Sequence, residues 1–173
     1  MSKTVLQLVM MFVLLTLSQA IVFNNLVLFS VAVPFVFIYM IIAMPITFST
    51  NLAMTIGFVT GLAVDILSDT LGVNALCSTI LAFVRRPVFH LYMASDVDLA
   101  EQFPSPRTMG SPAFMKFALT MSAIYSFMVF TVEAFQIFDW QLYMLRIIAG
   151  SIYTFILIYA IACMNLGRRE KKL

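Results

Sequence analysis

The sequence predicts an all-α integral membrane protein, a bundle of six transmembrane helices. Three observations carry this: an apolar composition, six long apolar stretches and basic residues gathered on one side. Hydrophobic residues make up 62% of the 173 and charged residues 10%, with a mean hydropathy of +1.03. Soluble domains run at about 45–50% apolar and about 25% charged. A water-soluble fold of this length has too little interior to hide so much apolar surface. Each span needs about 20 apolar residues to cross a hydrocarbon core of about 30 Å. Residues 1–173 are therefore expected to form a single membrane domain with short loops.

Breaker residues separate the spans. The first is expected over residues 4–22. Lys3, the apolar Val5 to Leu17 and the small Ser18 and Ala20 also fit a cleavable signal peptide, but the apolar run continues through Ile21 to Phe23 and favours a retained helix. The second span, 26–44, follows Asn24 and Asn25 and stops at Pro45. The third, 50–67, ends in the cluster Ser68 to Gly72, and the fourth, 73–92, carries Arg85-Arg86-Pro87 within it. The cytoplasmic loop 93–112 follows, where Ser95-Asp96-Val97-Asp98 is expected to cap a short helix through Glu101 that Pro104 and Pro106 end. The fifth and sixth spans, 113–135 and 141–165, part around Asp139 and leave a cytoplasmic tail at 166–173. The runs are continuous and longer than the roughly 9–11 residues of a barrel strand, which argues for helices over a membrane β-barrel.

Six spans place Lys3, Arg85, Arg86, Arg107, Lys116, Arg168, Arg169, Lys171 and Lys172 on one side. By the positive-inside rule that side is the cytoplasm, and both termini lie there. Arg146 alone falls opposite, with Asp69 and Asp139 in short outer loops.

The third span carries a ladder four residues apart, Ala53, Gly57, Gly61, Asp65 and Asp69, on one helical face. Small residues at that spacing let helix backbones approach closely in lipid, so Ala53, Gly57 and Gly61 are expected to pack against a neighbour. An ionised carboxylate within a span costs several kcal/mol unless paired or hydrated, so Asp65 needs a partner. Arg146 is the basic residue in the same half of the membrane as Asp65, Asp69 and Glu133. Pairing among these four is expected, either as a structural ion pair or as the wall of a polar or partner-binding site. Arg85 and Arg86 are expected to anchor the chain at the interface by snorkelling.

No enzyme is legible. His90 is the only histidine, Cys77 and Cys163 lack metal-ligand spacing, and no nucleophile has a base within motif range, so no metal or other cofactor is expected. A net charge of +2 is too small for a nucleic-acid binder.

Read together, spans two to four resemble the bacterial rod shape-determining membrane protein family MreD. The residues are Pro34, Tyr39, Pro45, Asn51, Gly57, Gly61, Asp65 and Leu71-Gly72-Val73 with Ala75 and Leu76. Their core is Gly-x-x-x-Asp followed seven residues later by Gly, and the match covers roughly a third of the chain. The resemblance implies a non-enzymatic scaffold of the cell-elongation machinery in the cell inner membrane, linking peptidoglycan synthesis to the MreB filament. MreC is the implied closest partner, with RodA and a penicillin-binding transpeptidase as neighbours. It further implies a bundle similar to the substrate-binding subunits of energy-coupling-factor vitamin transporters, which supplies the alternative function.

Overall fold

The structure, a computed structural model, describes residues 2–23, 33–70, 72–93, 103–133 and 140–170. Among these the regular structure is entirely helical: α1 (Ser2–Ser18), α2 (Tyr39–Ile42), α3 (Thr50–Ser68), α4 (Val73–Tyr92), α5 (Ser111–Glu133) and α6 (Trp140–Glu170). α1 continues into a π-helical turn, Gln19–Phe23, and a 3-10 turn, Val36–Ile38, leads into α2. α3, α5 and the Trp140–Met164 part of α6 are long and apolar enough to cross a membrane.

The second span departs from expectation. Within its described part, 33–44, residues 33–35 are not helical, and helical structure occupies only Val36–Ile42. Pro34 is the physical cause, since its ring opposes helix in the residue before it and it has no N–H to give. Buried backbone groups freed in this way need other partners. Gln19 and Thr154 supply them. Gln19 Nε2 donates to the Pro34 carbonyl at 2.8 Å, while Gln19 Oε1 accepts from the Val36 N–H at 2.8 Å and the Phe37 N–H at 3.4 Å. The Phe35 N–H donates to Thr154 Oγ1 at 3.1 Å. The broken segment is thus held between the end of α1 and the middle of α6.

α3 and α4 form an antiparallel hairpin with the most extensive contact of any helix pair. α3 starts on Ser49, whose hydroxyl accepts from the Leu52 N–H at 3.4 Å. It ends on Asp69 in the left-handed region, φ 55°. Aspartate tolerates that conformation better than bulkier residues. Around α2 and between α4 and α5 the interior is large and aromatic. Phe37, Phe89, Phe114, Phe117 and Tyr125 are fully buried, with Phe89 and Phe117 edge to face at 5.8 Å between ring centres.

The outer surface is apolar. Leu145, Ile148, Ile152 and Ile156 of α6 and Phe58, Val59, Leu62 and Ile66 of α3 are exposed, while Ser78, Ser122, Ser126, Asp65 and Arg85 are buried. The expected short helix at 95–101, Asp139 and Leu71 lie outside the described residues. From Phe103 to Gly110 the loop packs Pro104, Pro106 and Met109 inward.

Candidate functional site

Two features dominate the end of the bundle where α3 turns into α4. The first is a polar lock. Gly72, φ 81°, stands at the N-cap of α4 and has no side chain with which to cap it. The first turn of a helix leaves backbone N–H groups without internal partners. Asp65, across the turn on α3, takes the role. Its Oδ1 accepts from the Asn74 N–H at 3.1 Å and from Asn74 Nδ2 at 2.9 Å, and its Oδ2 accepts from the Ala75 N–H at 2.8 Å. The Thr70 hydroxyl donates to Oδ1 as well. Tyr125 of α5 donates its hydroxyl to Asn74 Oδ1 at 2.7 Å, which ties α5 into the network. Asp65 is 3% exposed, so its charge is balanced by oriented dipoles at a helix N-terminus rather than by water.

Arg146 is expected to pair with one or more of Asp65, Asp69 and Glu133, and at Asp65 the observed partners are Thr70, Asn74 and Ala75. Arg146, half-buried on α6, lies within electrostatic reach of Glu133 at the end of α5. Its Nε is buried with no hydrogen-bond partner among the described residues. Asp69 is exposed and serves as the cap of α3. The four residues are therefore divided: Asp65 in the lock, Asp69 at the turn, Glu133 and Arg146 as neighbours.

Ala53, Gly57 and Gly61 are all buried on α3. A Cβ on Gly61 would collide with the Asn74 carbonyl oxygen and stand 2.6 Å from Ala75 Cα. On Gly57 it would stand 2.8 Å from the Ser78 carbonyl oxygen and 3.1 Å from Ala82 Cβ. The glycines thus let α4 approach until Asp65 reaches its first turn. Packing and polar lock depend on one another.

The second feature is a cavity of about 180 Å³ beside the lock, between the end of α1, the segment before α2, the α3–α4 turn and the end of α5. Its polar lining is Gln19, Ser68, Thr70, Asn74 and Glu133. Gln19 was not among the sequence candidates. Its distinguishing signal was a glutamine inside an apolar run, fifteen residues before a mid-span proline.

At the other end of the hairpin, Arg85 corrects a further expectation. Rather than snorkelling, it is 3% exposed and donates from Nη2 to the Met44 carbonyl just beyond α2. Its Nε has no partner among the described residues. Arg86, its neighbour on α4, is exposed. Among the described residues no group of His, Cys, Asp and Glu is arranged to hold a metal ion, and Cys77 and Cys163 are free thiols.

Compared with protein-family models, curated proteins and solved structures, the chain finds no significant match.

Proposed function

We propose that this chain is a multi-pass inner-membrane scaffold of the MreD type, without catalytic activity, that links peptidoglycan synthesis to the MreB cytoskeleton and maintains rod cell shape. The observation that carries the reading is the α3–α4 interlock. The residues of the Gly-x-x-x-Asp and Gly resemblance act there as one unit, with Gly57 and Gly61 admitting α4, Asp65 capping it and Gly72 turning the chain into it. A rigid hairpin with an apolar exterior suits a component that presents fixed helix faces to other membrane proteins. MreC is the expected direct partner, MreB, RodA and a penicillin-binding transpeptidase are neighbours, and both termini face the cytoplasm.

The test is purification of the tagged protein from its native membranes in mild detergent, with its companions identified by mass spectrometry. The expected result is a single-span coiled-coil protein together with cell-wall synthases, and rounding of rod-shaped cells on depletion. Recovery of paired ATPases with a second membrane subunit would overturn the scaffold reading. That outcome defines the alternative, a substrate-binding subunit of a small-molecule transporter, which the cavity beside the lock favours.

A further inference from the structure

The cavity beside the lock has a chemical character of its own, independent of the scaffold reading. Its volume, about 180 Å³, exceeds the roughly 150 Å³ of an apolar cavity that takes benzene. At about 20–30 Å³ per non-hydrogen atom it admits a group of six to nine such atoms.

Hydrogen-bond accounting says what kind of group. Asn74 Nδ2 donates both of its protons, to Asp65 and Thr70, and its Oδ1 is taken by Tyr125. Gln19 Oε1 accepts twice, while Nε2 gives one of its two protons to the Pro34 carbonyl and keeps one N–H. Thr70 has given its proton to Asp65. Capacity remains on Glu133, on a Thr70 lone pair and on Ser68, whose Oγ is buried with no partner among the described residues. Against one Gln19 N–H and the Ser68 hydroxyl proton stand the Glu133 carboxyl oxygens and the Ser68 and Thr70 lone pairs, so acceptors outnumber donors and the matching ligand is a donor.

Its charge follows from helix direction. α3 ends at Ser68 with Asp69 as its left-handed cap, so its partly negative C-terminus lies at the cavity, and Glu133 of α5 adds a carboxyl group to the lining. The opposing N-terminus of α4 is already occupied by Asp65. Phe35, Phe37 and Phe130 line the remaining wall, and aromatic faces attract cations.

We infer that this cavity binds a primary ammonium group carried on a short alkyl chain. The ammonium sits among Glu133, Ser68 and Thr70. The same chemistry is available as the headgroup of an ethanolamine phospholipid and as a free small molecule.

Two measurements on the full-length protein in detergent test the site. Native mass spectrometry is run against an equimolar mixture of phosphatidylethanolamine and phosphatidylglycerol. Thermal unfolding is followed with free phosphoethanolamine, with glycerol phosphate as the control. The expected result is about a tenfold preference for the ammonium-bearing member in at least one arm. A preference in the lipid arm alone identifies a headgroup site, and one in the soluble arm alone identifies a small-molecule site. Glu133→Gln, at an exposed position, should remove the preference without lowering the unfolding temperature, and Val33→Phe should remove it by filling the lined space. No preference in either arm overturns the inference. So does a preference that survives both substitutions.

Discussion

Asp65 and Arg85 sit at opposite ends of the α3–α4 hairpin, each 3% exposed and each set against the end of another helix. Asp65 meets the N-terminus of α4 and Arg85 the carbonyl that follows the C-terminus of α2, so both signs agree with the helix dipole. They differ in completeness. Asp65 collects donors from Thr70, Asn74 and Ala75, whereas Arg85 finds one carbonyl and leaves Nε unpaired. A buried charge with all its hydrogen bonds holds a unique geometry, while one that is half satisfied contributes little net stability. On this comparison the α3–α4 turn is the rigid end of the hairpin.

The largest effect is expected at Asp65. Asp65→Lys removes the cap and places a cation at a helix N-terminus, and should cost about 3 kcal/mol or more in detergent unfolding. Asp65→Asn keeps Oδ1 but turns an amide N–H towards the Ala75 N–H, so about 1–2 kcal/mol is expected. Equal loss in both variants would sink the proposed cap. Gln19→Leu comes next. It orphans the Pro34 carbonyl and the Val36 and Phe37 N–H groups, and should cost about 2–3 kcal/mol in the same assay.

Gly61→Ala should cost more than Gly57→Ala, because the added methyl meets backbone at shorter range at Gly61. Overpacking of this kind costs about 1–3 kcal/mol. The reverse order would show that Asp65 reaches α4 without the close approach at Gly61. The smallest effect is expected at Arg85. Arg85→Met should change stability by about 1 kcal/mol or less, since an apolar side chain of similar length removes a desolvation cost while orphaning one carbonyl. A loss as large as that of Asp65→Lys would erase the difference between the two ends.

Parts of this site were legible before the fold was known. The four-residue spacing of Ala53, Gly57, Gly61 and Asp65 put them on one face, and smallness named the face that packs. The partner of Asp65 was not legible. Charge counting offers Arg146 to Asp65, Asp69 and Glu133 alike because it compares formal charges, and the backbone N–H groups of Asn74 and Ala75 carry none. Arg85 was misplaced for a related reason. Its position beside Arg86 and Pro87 reads as interfacial, but one of two adjacent helix positions can point inward while the next points out.

The sequence by itself determined the helical class, the long apolar helices α3, α5 and α6, and the face of α3 that admits a neighbour. These follow from periodicity and composition, which are properties of one segment at a time. Only the tertiary structure decided that residues 33–35 are not helical and are held by Gln19 and Thr154, that Asp65 caps α4, and that a cavity lies beside the cap. Each of these joins groups from different helices. Hydrogen bonds to the backbone leave no mark on residue type, so they become visible only when the chain has brought its helix ends together.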